Sequence, residues 1–217
     1  MKRLLDITLS CGLIFVLLPL FLPLTILLRL TGEGKVFYRQ KRIGIGQQPF
    51  EILKFATMLE NSPSLGTGHI TLRNDPRVLP VGRFLRKSKI NELPQLWNVL
   101  AGDMSIVGPR PLTPNHFAHY DEGDRQLISM VRPGITGLSA LVFRDEEKIL
   151  SKQTDPVAFY RENIAPVKAS LEIFYATRAS LGLDLLVIIY TAHAVLFPSS
   201  DFVSRKIARI SGISQNF

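Results

Sequence analysis

From Ile7 to Leu28 the chain carries no charged residue. Those twenty-two residues, as a helix, are about 33 Å long, enough to span a bilayer. Pro19 and Pro23 fall mid-run, where each removes a helix hydrogen bond and favours a kink. Basic residues flank both ends: Lys2 and Arg3 before; Arg29, Lys35, Arg39, Lys41 and Arg42 after. Orientation by positive charge needs one poor flank, and neither is poor. The pattern therefore predicts a membrane-embedded, re-entrant helix over residues 1–30. It enters, bends at Pro19 and leaves by the same face, with residues 31–217 as one domain on that side. A tilted span and a signal peptide are the alternatives; the signal peptide lacks a small-residue cleavage site.

Beyond the apolar run, the stretches from Val36 and from Phe50 alternate around Gly44-Ile-Gly-Gln-Gln-Pro49. This predicts a β-hairpin, with the glycines read as a turn rather than a phosphate loop. Residues 61–75 are rich in Ser, Gly, Thr and Asn and predict a loop, with His69 alone in it. A short amphipathic helix is expected after Asp75-Pro-Arg. Asn91 then reads as a helix N-cap, Pro94 as a first-turn proline and Gly102 as the helix end. Leu93, Leu96, Trp97 and Leu100 recur at helical spacing and predict a buried face. Arg144 to Lys148 reads as a solvated charge run, and Val157 to Ala179 as helix interrupted by Pro166. Leu183 to Phe197 reads as an interfacial or core helix that Asp184 could cap, and the tail around Arg205-Lys206 as a basic amphipathic segment. The fold class expected is mixed α+β, mostly helical with one small hairpin.

Composition sharpens the membrane reading. The formal charge is +8 and the pI about 9.8, yet 46% of residues are hydrophobic. Charge alone would admit an anionic-lipid or nucleic-acid binder; charge together with this apolar content favours an anionic membrane face over nucleic acid. The single cysteine, Cys11, excludes an internal disulfide and a cysteine-based zinc site.

The candidate chemistry lies in residues 86–111. Arg86, Lys87 and Lys89 lead into the predicted helix start, where free N–H groups and the dipole suit a phosphate. Glu92, a carboxylate among these cations, could hold a metal ion or act on a bound phosphate; capping plus a solvated basic face is the plainer reading. Two stiff turns follow, Gly108-Pro-Arg-Pro111 and Arg132-Pro-Gly-Ile-Thr-Gly137. Proline fixes the backbone, glycine permits close approach, and a displayed arginine matches phosphate bidentately. Two such turns beside a basic helix start point to a diphosphate pocket.

An ordered set of motifs resembles the bacterial sugar transferase family, the monotopic polyprenyl-phosphate phosphoglycosyl transferases. The set is Asp6 with the proline-bearing apolar helix, Lys54-Phe-Ala-Thr-Met58, Asp75-Pro-Arg, Glu92-Leu-Pro-Gln-Leu, Gly102-Asp-Met-Ser105, the two turns, and Ser180 to Asp184. The resemblance implies a UDP-sugar donor, an undecaprenyl-phosphate acceptor, Mg²⁺, contact with inner-membrane lipid and a site at the cytoplasmic face of the bacterial inner membrane. Nucleic acid is not an expected partner, and a homo-oligomer is left open. By motif position, Lys54, Arg86 and Arg110 are expected at phosphate. Pro109, Pro111, Arg132, Pro133 and Gly134 would frame the nucleotide, and Asp184 is expected on the substrate side. Glu92 would be a catalytic and metal-binding residue.

The family's nucleophilic aspartate falls on Asn91, and a neutral amide is a poor nucleophile. Three routes stay open: direct attack by the acceptor phosphate, Glu92 as nucleophile, or a disabled membrane scaffold that still binds UDP-sugar. The chain also has Leu18-Pro19 where the family often has Ser-Pro, and Ala56 where it has an arginine.

Overall fold

The computed structural model describes residues 1–65, 71, 75–118 and 120–213. Helix α1 (Lys2–Leu30) is followed by a hairpin, β1 (Phe37–Ile43) and β2 (Pro49–Phe55), then α2 (Pro80–Lys87), a 3₁₀ turn (Ile90–Glu92) and α3 (Gln95–Ala101). Strand β3 (Ser105–Val107), α4 (Pro114–Phe117), α5 (Glu122–Ile128), β4 (Gly134–Thr136), α6 (Leu138–Val142) and α7 (Glu146–Leu150) come next. Helix α8 (Pro156–Phe159), a π turn (Tyr160–Ile164), α9 (Ala165–Arg178), α10 (Leu181–Leu196) and α11 (Phe202–Ser211) complete the chain. This is the expected mixed α+β class.

The hairpin forms as its alternation predicts, with Phe37 opposite Phe55 and Ile43 opposite Pro49. Gly46 sits in its turn at φ 62°, a conformation glycine adopts freely. A second sheet was not foreseen: β3 pairs in parallel with β4, three residues each. Buried Leu96, Val99, Met104, Val107, Leu138, Leu171, Tyr175 and Val187 fill one core around that sheet.

Pro19 and Pro23 lie inside α1 without ending it, so the helix runs through both prolines as one element. Packing accounts for this: Phe21, Leu24 and Leu28 bury against Phe55 and Leu85 and hold the second half in place. Its first turn is fastened as well. Lys2 Nζ donates to Val107 O (3.0 Å) and Asp184 Oδ2 (2.8 Å), and Arg3 donates to the Val99 and Leu100 carbonyls. Asp6, buried, accepts from Ser105 Oγ (2.9 Å) and the Ile106 N–H (2.9 Å). Both ends of α1 thus touch the same domain. Its other face exposes Leu4, Phe15, Val16, Leu18, Leu22 and Ile26, and α1 is long and apolar enough to cross a membrane.

Several local expectations are corrected. Asn91 caps no helix; it lies buried in the 3₁₀ turn, and α3 starts at Gln95. The predicted buried face of α3 is shifted: Gln95, Leu96, Asn98 and Val99 are buried, while Trp97 is 45% exposed and packs edge-on to Phe21. Residues 144–148 are the expected charge run at the surface, with Asp145 and Lys148 exposed, but two of its carboxylates are engaged. Glu146 pairs with buried Lys168, and Glu147 with Arg86 at 2.6 Å. Ser180, not Asp184, caps α10, accepting from the Leu183 N–H. Pro166 interrupts the long helix as expected. It has no N–H to give, and the preceding turn widens to π spacing, with the Ala165 N–H bonded to Tyr160 O. Gly102 ends α3 in the left-handed conformation, as predicted. The loop expected over residues 61–75 falls in part, with His69, outside the described residues.

Candidate functional site

Two turns, a strand end and a 3₁₀ turn converge on one open cleft. β2 delivers Lys54 near its end, the 3₁₀ turn delivers Glu92, and the turn after β3 delivers Arg110 and Pro111. Arg42, Gln95 and Gly134 line the same cleft.

The close approach of the two turns depends on missing side chains. Gly108 N–H donates to Thr136 O (3.0 Å), and Gly134 N–H to Pro109 O (2.8 Å). A Cβ on Gly108 would stand 2.3 Å from Arg132 O, and one on Gly134 2.1 Å from Gly108 N. Glycine at these positions is therefore required by contact, as the sequence suggested.

Glu92 is the electrostatic centre. Its Oε1 accepts from Lys54 Nζ (3.1 Å) and lies 3.5 Å from Arg110 Nη2. Burial alone would raise its carboxyl, but Lys54, Arg110 and Lys89 outweigh burial and hold it well below the usual range. Burial lowers Lys54 to about 8, with Glu92 opposing and Arg42 and Arg110 assisting. Arg42 is lowered to about 10, chiefly by burial and then by Arg110. Its Nη1 donates to Pro111 O (2.9 Å), so it supports the turn as well as the charge. Arg42 entered the sequence reading only as part of a basic flank; its strand position gave it no signal.

The other predicted site residues divide. Pro109 and Pro133 line a second cleft that shares Arg110 with the first, together with Ile43 and Gly44. Arg86 stands one step out, donating to Glu147 Oε1 (2.6 Å) and lying 3.6 Å from Met58 Sδ. Arg132 turns away: its Nε donates to Gly102 O (2.8 Å). Asp184 is not brought to the cleft. It is 1% exposed, and Lys2 and the Tyr175 hydroxyl (2.5 Å) occupy its two oxygens, so it fastens α1 to α10. Asn91 lies beside Glu92 in sequence, but its Oδ1 is buried and has no hydrogen-bond partner among the described residues.

For a divalent cation the donor set is lean. Among the described residues no three acidic, histidine or cysteine side chains converge on a point. Glu92 binds both cations through Oε1, so Oε2 is the oxygen that would hold a metal ion. One carboxylate fits Mg²⁺ only where phosphate oxygens and water complete the shell. The excess of cations over carboxylates suits a polyanion.

Comparison with known proteins agrees with this chemistry. The family model described as bacterial sugar transferase matches residues 1–198. The UDP-glucose:undecaprenyl-phosphate glucose-1-phosphate transferase of Caulobacter vibrioides is 37% identical over 90% of this chain and 69% of its own length. The exopolysaccharide production protein ExoY of Sinorhizobium fredii is 34% identical over 93% of this chain and 88% of its own. A glucose-1-phosphate transferase of the same description from Xanthomonas campestris pv. campestris is 35% identical over 82% of this chain, which spans only 35% of that relative.

Proposed function

The chain belongs to the bacterial sugar transferase family, and on that premise we propose that it transfers a phosphosugar from a UDP-sugar to undecaprenyl phosphate. The products are undecaprenyl-diphosphate-sugar and UMP, and the step begins assembly of a glycan, an exopolysaccharide by analogy with ExoY. The observation that carries this reading is Glu92 held between Lys54 and Arg110 in a cation-rich cleft, on a domain that also carries an exposed apolar helix.

The chain is membrane-associated through α1. Both ends of that helix contact the same domain, which favours a helix that dips into the cytoplasmic leaflet of the inner membrane over one that crosses it. The acceptor's phosphate then reaches the cleft from the lipid side.

Asn91 carries no charge and its amide is a weak nucleophile. Glu92 has its charge tied to two cations. Direct attack is the route these groups support best: an acceptor phosphate oxygen bonds to the β-phosphorus of the donor, the bond from that phosphorus to the bridging oxygen breaks, and UMP leaves with the electron pair. A phosphate monoester is largely ionised near pH 7 and needs positioning more than a base. Lys54, Arg110 and Arg42 stabilise the charge that builds on the phosphate oxygens of the departing UMP. Glu92 orients Lys54 and Arg110, and it is the residue that would hold Mg²⁺ brought in with the donor. When bound, that ion supplies further charge neutralisation at the diphosphate.

The test is UMP release from a panel of UDP-sugars by the full chain with undecaprenyl phosphate and Mg²⁺, with Asn91→Asp and Glu92→Gln alongside. The native chain is expected to release UMP only with lipid, and Glu92→Gln to lose about a thousand-fold or more. Activity confined to Asn91→Asp would make this chain a disabled form that binds UDP-sugar. No UMP from any variant would end the enzyme reading.

A further inference from the structure

We infer that Glu172 is a positioning residue: a buried carboxylate on α9 that fixes the Gly108–Pro111 turn and so aims Arg110 at Glu92. Glu172 is 3% exposed. Its Oε1 accepts the Arg110 backbone N–H at 3.0 Å. The same oxygen accepts the Ser139 hydroxyl. Ser139 stands in the first turn of α6, directly after the Gly134–Gly137 turn. One oxygen thus joins both basic turns from behind, while the Arg110 side chain reaches forward to Glu92.

Stability does not account for this residue. Its second oxygen, Oε2, is buried without a hydrogen-bond partner among the described residues, and such an oxygen is costly to leave unmet. Burial also raises its carboxyl above the ordinary value, against Ser139, the Arg110 N–H, Lys168 and the Arg110 charge. A shorter apolar side chain would avoid that cost, but it could not hold the turn. What Glu172 contributes is an acceptor at one point, behind the backbone that carries Arg110. The groups facing it are Arg110 from the Gly108–Pro111 turn and Ser139 from α6, with Lys168 one turn earlier on α9 and Glu146 from α7, which binds Lys168.

The test has one arm independent of the proposed reaction. Amide hydrogen exchange across residues 108–111 of the full chain in lipid nanodiscs reads the Arg110 N–H directly. Glu172→Ala is expected to speed its exchange about ten-fold or more, since a buried hydrogen bond is lost. Glu172→Gln keeps an acceptor oxygen and is expected to stay within about three-fold of native. The second arm, UMP release, rests on the reading above. There Glu172→Ala should raise KM for the UDP-sugar about ten-fold, leave KM for undecaprenyl phosphate unchanged and be rescued by glutamine. A loss of folded protein alone would not split the two KM values.

Unchanged exchange at Arg110 in the alanine variant overturns the inference, as does a glutamine variant as damaged as alanine. Glu172→Met, which fills the volume without an acceptor at that point, repeats the exchange arm if alanine fails to fold. Unfolding of both would assign Glu172 a purely structural role. If the native chain releases no UMP, the reaction reading fails, and exchange still decides the role of Glu172.

Discussion

Across the cleft, the turn at Gly108–Pro111 and the turn at Ile90–Glu92 are held by different forces. The first is fixed by backbone. Ser105 N–H meets Pro133 O (2.9 Å), Gly108 N–H meets Thr136 O (3.0 Å), and Gly134 N–H meets Pro109 O (2.8 Å). Asp6 secures the strand before it and Glu172 the Arg110 N–H within it. The second turn has the local main-chain bonds of a 3₁₀ turn, Glu92 N–H to Lys89 O and Leu93 N–H to Ile90 O (3.1 Å each), and its charged end is held by ion pairs. Lys89 opens it in the left-handed conformation at φ 60°, Glu92 is anchored by Lys54 and Arg110, and the Asn91 Oδ1 is left unmet among the described residues. The main-chain hydrogen bonds of the first turn carry no titrating group, and Glu172 is the ionisable residue among its backbone anchors. Geometry at the charged end of the second is set by charge, so protonation or a bound polyanion shifts it.

The largest effect should come from breaking the backbone-built side. In Gly134→Ala the new Cβ would meet Gly108 N at 2.1 Å and Thr136 O at 2.5 Å, both main-chain atoms that cannot swing aside. We expect a loss of about 3 kcal/mol or more in unfolding free energy, the range of severe overpacking. Gly123→Ala is the control, since nothing among the described residues lies within 4 Å of its added Cβ and helix propensity favours alanine by up to about 1 kcal/mol. Equal stability of the two variants would show that the turns approach less closely than this.

On the charge-built side the sensitive variable is pH. Lys54 sits at about 8, below its ordinary 10.5. Between these values the unfolded chain holds a proton that the folded chain lacks, so Lys54 makes folding stability rise with pH across that window. The cleft behaves in the opposite sense: it loses a cation as pH climbs through 8. UDP affinity measured by titration calorimetry should fall about ten-fold between pH 7 and 9, following the charged fraction of Lys54. Glu92→Gln removes the charge that raises Lys54 and should move the fall to lower pH. A profile that Glu92→Gln does not move would separate the two residues electrostatically and refute the pairing.

The same division governs what the sequence made legible. The hairpin, the left-handed Gly102 and the clearance glycines are local consequences of chain chemistry, and all were readable. The β3–β4 pair is three residues on each side and parallel, too short for any periodicity to announce. Asn91 looked like a cap because Asn before a helix usually is one; tertiary packing buried it instead. Arg42, Glu172 and the Glu146–Lys168 pair depend on partners far away in sequence, and their burial inverts what a charged side chain normally signals. Asp184 belonged to a motif, but its neighbours in space, Lys2 and Tyr175, give it a fastening role.

The smallest effect sharpens the comparison at its edge. Glu147 is half exposed and bonds Arg86, which the family resemblance places at phosphate. An exposed ion pair contributes little, so Glu147→Gln should change stability by less than about 1 kcal/mol. Its effect on ligand should be larger than its effect on folding. A carboxylate on Arg86 occupies the fork that a donor phosphate would use, and releasing it should tighten UDP binding by about two- to five-fold, within the range that one exposed pair supplies. Arg86→Gln should weaken binding and cancel any gain from Glu147→Gln when the two are combined. If Glu147→Gln weakens UDP binding instead, Glu147 holds Arg86 in the productive pose, and the charge-built side of the cleft is more rigid than its ion pairs imply.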